Sequence, residues 1–443
     1  MNFKSEMNLK EFLRFLVPSI LVLAFMSAYQ IVDGYFISAY VGSNALAAVN
    51  LIIPMNSIIF SIGLMFAAGG GALASIKLGE KDTKTASKYV SNLLTVAIIF
   101  GLLLTLVSFL FKEQILALLG VNEELWGYAS VYSTYIFITF PFLIAKMEFA
   151  GFLRAEGRPK ISLIMSVVGG IVNIVLDYLF IVVLDMGVAG AGLGTMLGIM
   201  ISLIYAIVYF SSPKSVFNFG FYRIDWKFLK SVVFNGSSEM VSELSIGFTA
   251  LVFNLLCLKY AGNDGLAAIS VILYIHLFVG NSFFGFAIGT APLISYYYGS
   301  KNLEALKKAK KYALNTLLLV SPVIVGMVFL GKSILVSIFF DPANPAYDLA
   351  VQGLAIFTFG FLFVGYNMFG SAMFTALSNG KISAMISFAK SFIIFSIIAY
   401  LFPRYMGVEG IWLIMPSVEA IIAFLVFYLT QEKRMLKYYA FAN

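Results

Sequence analysis

Residues 42–81 open with GSNALAAVN and close with GGGALASIKLGEK; residues 262–301 open with GNDGLAAIS and close with GTAPLISYYYGSK. Shifted by 220 positions without a gap, the segments agree at Gly42/Gly262, Leu46/Leu266, Ala47/Ala267, Ala48/Ala268, Ile52/Ile272, Phe66/Phe286, Gly69/Gly289, Gly79/Gly299 and Lys81/Lys301. Further along, PKIS at 159–162 is echoed by GKIS at 380–383, and MGVAG at 186–190 by MGVEG at 406–410. Loops and apolar runs that repeat together mark an internal duplication.

What is duplicated follows from composition. Of the 443 residues, 61% are hydrophobic and 12% charged, against about 25% charged in a typical soluble domain. Apolar runs of the roughly 20 residues that a bilayer crossing needs recur from end to end. The punctuation predicts twelve spans, at 15–40, 45–76, 89–111, 127–152, 161–184, 188–211, 231–258, 264–298, 313–336, 347–375, 382–402 and 407–430. Gly, Ser and Thr are frequent inside them, as expected where helices pack closely in lipid, and the short alternating segments of a barrel are missing. The expected fold is an all-α integral membrane protein: an N-lobe at 1–212 (spans 1–6), a cytoplasmic linker at 213–230 and a C-lobe at 231–443 (spans 7–12). Equivalent points separated by an even number of spans share an orientation, so the six-helix lobes would be related by a pseudo-two-fold axis along the membrane normal, as in transporters that rock about a central site.

Lys and Arg set the orientation. With both termini cytoplasmic, the inner segments carry 23 of the 29 basic residues, while the outer loops keep Lys112, Lys259, Lys332 and Arg404. That asymmetry satisfies the positive-inside rule and assigns the net charge of +7 to topology and anionic lipid, not to nucleic acid. The basic start is followed by no small-residue cleavage site, so span 1 is expected to be retained. Cys257, the single cysteine, excludes an internal disulfide or a cysteine metal cluster.

Against this apolar background, GGIVNIVLDYLFIVV at 169–183 sets Asn173 and Asp177 four residues apart. A carboxylate at the centre of such a helix costs roughly 2.5–3.5 kcal/mol on insertion scales. Counting helical rise from the outer turns puts Asp33, Asp177 and Thr195 roughly 13 Å below the outer surface, near the midplane. Asn173 lies one turn deeper on the face of Asp177. Thr195 alone reads as a helix-packing hydroxyl. Two carboxylates at one depth are different: like charges close together in low dielectric must share a proton or a cation, and the surrounding oxygens suit a hard cation such as Na⁺. The second half is an internal control. Phe253 stands opposite Asp33, and positions 393–398 read IIFSII where Asn173 and Asp177 would recur, so the fold does not require these acids.

Other intramembrane charges are candidates for a second polar or substrate site. Glu239 and Glu243 lie one turn apart in span 7, and Lys390, at similar depth in span 11, is placed to pair with Glu243. His276 and Glu419 fall near the middle of spans 8 and 12; a histidine there is an ordinary packing group or a proton carrier, titrating near pH 6.5. Lys146 and Glu148 lie within two turns of the cytoplasmic face, in snorkelling range.

VDGYFISAYVGSNALAAVNLIIP, FLRAEGRPKIS and VNIVLDYLFIVVLDMGVAGAGLGT resemble the signatures of the MATE (multidrug and toxic compound extrusion) family, and the resemblance runs over essentially the whole chain, closest to the DinF-like and MepA-like bacterial groups. It implies a two-lobed exporter of organic cations and other amphipathic compounds, coupled to inward H⁺ or Na⁺ and working by alternating access. In such relatives, residues matching Asp33, Asn173, Asp177 and Thr195 form the cation site, a proline matching Pro18 lets span 1 bend, and tyrosines matching Tyr29 and Tyr132 flank the site. No cofactor is expected beyond the coupling ion, and the chain is expected to be a monomer in a bacterial or archaeal plasma membrane. The chain departs from the family at Ser38 and Tyr178, where Gly and Pro are usual. A lipid-linked saccharide flippase of the same superfamily would need a cationic lumen, for which Lys390 and Lys146 are the main intramembrane bases. A membrane enzyme would need a nucleophile, histidine cluster or metal set at one depth, for which one histidine and one cysteine leave little material.

Overall fold

The computed structural model describes residues 7–435; Lys4 and Lys437, two of the basic residues counted above, lie outside them. Among the described residues, regular structure is helical throughout. The first half runs α1 (Leu9–Phe36), α2 (Ser43–Gly79), α3 (Thr83–Leu110), a short α4 (Lys112–Leu118), α5 (Glu123–Ala155), α6 (Pro159–Asp177) and α7 (Gly187–Phe210). The second half runs α8 (Trp226–Gly299), α9 (Leu303–Ser337), α10 (Pro345–Phe357), α11 (Phe361–Ala376), α12 (Gly380–Phe388), α13 (Phe395–Trp412) and α14 (Ile414–Thr430).

These helices realise the twelve expected spans. The 74 residues of α8 are two spans meeting at Gly262, whose φ of 62° breaks the helix, and α13 joins the end of one span to the start of the next at Gly407, φ 58°. Spans 1, 5 and 11 each contain a π-helical stretch, at Ile37–Val41, Tyr178–Val183 and Ala389–Ile394. Helices overrun the apolar windows because charged residues end a hydrophobic run without ending a helix: α1 begins at Leu9, six residues before the expected start at 15.

The duplication is legible in backbone detail. Left-handed turns recur at Gly42 and Gly262 (φ 118° and 62°), Lys81 and Lys301 (62° and 55°), and Gly187 and Gly407 (57° and 58°). A side-chain oxygen caps equivalent helices, Asp82 on α3 and Asn302 on α9. Capping supplies an acceptor for N–H groups that a helix start leaves unpaired.

Two compact units result among the described residues, one of residues 21–236, the other of 7–20 and 237–435. The start of α1 therefore packs with the second half of the sequence, a grouping that differs from the division expected at 212 and 231. There Gly289 faces Leu16 and Ser19, and Phe12 meets Tyr312 at 5.9 Å between ring centroids. In the first unit, the segment expected as a linker is held in place. Asn218 and Gly220 donate backbone N–H groups to Ser87 and Ser91 at 3.0 and 3.2 Å. Lys88 pairs with Asp225 at 3.3 Å, Tyr89 stacks on Phe228 at 3.9 Å, and Glu156 accepts from the Val216 N–H.

Asp82 and Asp225 lie in these connections, outside the spans. The Thr85 hydroxyl and N–H hold the Asp82 carboxyl below the usual carboxylate range, and the Phe228 N–H, with Lys88, does the same for Asp225. A depressed folded-state value means that the unfolded chain binds more protons, so this stabilisation is present above about pH 4 and is lost as pH falls below it. Thermal melts in detergent should show midpoints falling below pH 4, with a shallower acid slope in Asp82→Asn/Asp225→Asn; equal slopes would refute the assignment.

Candidate functional site

Three small-residue contacts bring α6 and α7 together. On α7, Gly190, Gly194, Gly198 and Ser202 recur every fourth residue; on α6, Gly169, Asn173 and Asp177 do the same. A Cβ at Gly169 would lie 2.7 Å from the Gly198 carbonyl oxygen, one at Gly198 would lie 2.9 Å from the Asn173 Cβ, and one at Gly194 would lie 2.2 Å from Asp177 Oδ1. The glycines thus let the backbones close to distances no larger residue permits, which is how helices associate where water supplies no driving force.

Helix α1 closes the other side. A Cβ at Gly170 would meet the Phe25 ring at 2.4 Å and the Tyr29 ring at 3.2 Å, and Phe25 and Tyr29 are themselves 5.9 Å apart between centroids. One turn beyond Tyr29, the Asp33 carboxyl faces that of Asp177 within reach of a shared proton. Tyr132, 7% exposed on α5, is near both acids.

Burial here is severe. Asp177 is 0% exposed, Asn173 4%, and Asp33 Oδ1 and both Asp177 oxygens are buried with no well-directed hydrogen bond, the Asn173 amide standing beside Asp177. Buried polar groups almost always find partners, and two facing acceptors bind each other only through something positive between them. The donor set is carboxylate and amide oxygen, which a proton or a hard cation satisfies. An all-oxygen donor set of this kind does not suit a soft metal.

Of the eleven residues singled out from sequence, Tyr29, Asp33, Tyr132, Asn173 and Asp177 come together. Thr195 is half-buried on α7 beside Gly194, and Pro18 lies inside α1 among residues that pack with the second unit. The glycine seam was not singled out, although its four-residue period stands in GAGLGTMLGIMIS.

In the second unit the expected partner of Lys390 is wrong. Its ammonium pairs with Glu419 at 2.7 Å, not with Glu243, which is half-buried on α8. The two acids of span 7 also separate in role. Glu239 accepts from the Ser238 hydroxyl at 2.5 Å and the Thr375 hydroxyl at 3.2 Å. Thr375 continues to Ser383 at 2.8 Å, Ser383 to Ser371 at 2.9 Å, Ser371 to Ser387 at 3.2 Å, and Ser242 to Ser387 at 3.1 Å. Three helices each contribute hydroxyls four residues apart. Ser383 is fully buried and bonds on two sides, so Ser383→Ala should cost about 1–3 kcal/mol, the range for orphaning buried partners, read as a lower melting temperature; an unshifted melt would mean that the ladder is dispensable. His276 stacks on Phe361 (5.8 Å, 14°) and meets Phe357 edge-on at 5.4 Å.

The MatE family model matches the chain twice, at residues 18–179 and 240–401, well over half its length. The multidrug export protein MepA of Staphylococcus saprophyticus is 27% identical over 449 residues, covering 97% of this chain and 96% of its own. Among solved structures, an outward-facing multidrug resistance MATE family transporter of the MOP superfamily superposes with a TM-score of 0.90 at 20% identity, covering 99% of this chain and 97% of its own. A MATE protein crystallised in a bent conformation gives 0.91 at 21% identity, with 99% and 98% covered. At these identities the structural likeness concerns the fold alone.

Proposed function

The chain belongs to the MATE family of transporters, and from that premise we propose that it exports amphipathic, chiefly cationic compounds in exchange for H⁺ or Na⁺ bound at the Asp33–Asp177 pair. The relative named multidrug export protein, aligned over 97% of the chain, supports the cargo class. The observation that carries the coupling is the facing carboxyls with unpartnered oxygens.

The mechanism follows from differential affinity. A cation between the acids cancels their repulsion and favours the conformation that holds them together; cargo favours the other, and each lowers the affinity for the other reciprocally. Asn173 supplies a neutral oxygen, Tyr29 and Tyr132 wall the pair, and the seam at Gly194 and Gly198 fixes Asp177 against α7. Each residue binds or positions; none reacts. On this reading no cofactor is needed and the monomer suffices, and the distribution of Lys and Arg supports cytoplasmic termini in a plasma membrane.

The test is efflux of ethidium from proteoliposomes with pH and Na⁺ gradients imposed separately. Either gradient driving accumulation supports the proposal; transport indifferent to both would refute it.

A further inference from the structure

The second unit carries a cation of its own. Glu419 is 0% exposed on α14; the Asn367 amide donates to its Oε2 at 2.7 Å and its backbone oxygen at 2.8 Å, and the Lys390 ammonium stands 2.7 Å from Oε1. That last contact is close but poorly directed for a hydrogen bond, so the ammonium is held chiefly by charge. Lys390 rises from the π-helical stretch Ala389–Ile394, an irregularity common at functional positions. Its side chain is 20% exposed while that of Glu419 is sealed. A long flexible stem with one open side can withdraw.

Two further observations point to a guest. Asn367, 2% exposed, leaves Oδ1 buried without a partner, and so does Nδ1 of His276, whose ring lies in electrostatic range of Lys390 and is walled by Phe357 and Phe361. The fold does not ask for the pair: the repeat puts Gly169 opposite Lys390 and Ile199 opposite Glu419. Replacing a buried ion pair with apolar residues is generally neutral or stabilising, so stability does not account for it either.

We propose that Glu419 is a second cation subsite, in which the Lys390 ammonium is a tethered occupant displaced by the cationic head of an exported compound, with the His276 and phenylalanine rings taking its flat apolar part. This rests on the export reading for its cargo class but not on the carboxylate pair for its operation. Only cargo that outcompetes an ammonium for Glu419 would enter, which makes Lys390 a specificity device of the repulsive kind, and the aromatic wall favours delocalised organic cations over small hydrated ones.

The experiment is equilibrium ethidium binding to purified protein in nanodiscs without any gradient, in an Asp33→Asn/Asp177→Asn background, so that failure of cation coupling leaves the outcome untouched. Lys390→Met should tighten binding about tenfold, equivalent to about 1.4 kcal/mol. Lys390→Arg should leave it near the parent value, and Glu419→Gln should weaken it and make Lys390→Met neutral. Unchanged or weaker binding in a monodisperse Lys390→Met protein would overturn the proposal, reducing the pair to a helix tie. If Lys390→Met does not fold, amine labelling of the unsubstituted protein decides: ethidium should raise the reactivity of Lys390, and unaltered labelling would overturn the idea.

Discussion

Asp33→Asn and Asp177→Asn will each bring gradient-driven ethidium export down to the level of protein-free liposomes, while the variant proteins remain monodisperse and bind ethidium. The expectation rests on geometry. With both acids present, their unpartnered oxygens face one another and need a shared positive charge; with one amide in place, the pair bonds internally and the exchangeable cation has no site. Coupling energies between ligands typically amount to about 5–150-fold in affinity, and the substitution should erase that factor: H⁺ or Na⁺ would no longer weaken ethidium binding. Full export by either variant, or an undiminished effect of the cation on ethidium affinity, would contradict the assignment.

A single methyl group that changes no charge should do nearly as much. In Gly194→Ala the new Cβ falls 2.2 Å from Asp177 Oδ1, below any allowed contact, and the carboxylate must swing off its place opposite Asp33. Overpacking a close seam costs about 1–3 kcal/mol, which a twelve-helix protein survives, so the loss should appear in coupling and not in folding. Gly247→Ala and Gly280→Ala, where a Cβ meets nothing within 4 Å, provide matched controls with unchanged export. Coupled transport by Gly194→Ala at the control rate would show that the position of Asp177 does not matter.

The sequence made the fold legible for a physical reason. A bilayer demands long apolar helices whose backbone bonds are internal, and the repeat doubled every signal, down to the left-handed turns at Gly42 and Gly262. The grouping of Asp33, Asn173 and Asp177 was legible because polar and ionisable groups inside apolar helices are costly and depth can be counted along a helix. Lys390 was misread because depth gives height but not azimuth. Glu243 and Glu419 both fall within reach in height, and only helix packing decided for Glu419, with Asn367 on α11 helping to hold the acid in place. The second half lacks the acids of the first at equivalent positions and builds its ion pair and hydroxyl ladder at other positions, which matching aligned residues does not reveal. The seam at Gly169, Gly194 and Gly198 was hidden for a simpler reason: a glycine's role is the contact it permits, and that contact is visible only once the neighbouring helix is in place.

The most direct measurement is the count of cations displaced by cargo. When tetraphenylphosphonium saturates the purified protein in weak buffer, protons, or Na⁺ followed as radioactive tracer, should leave the protein, up to about one per chain, since linked binding is reciprocal, and none should leave the Asp33→Asn/Asp177→Asn variant. Equal release from the variant, or no release of either ion from the unsubstituted protein, would contradict the account.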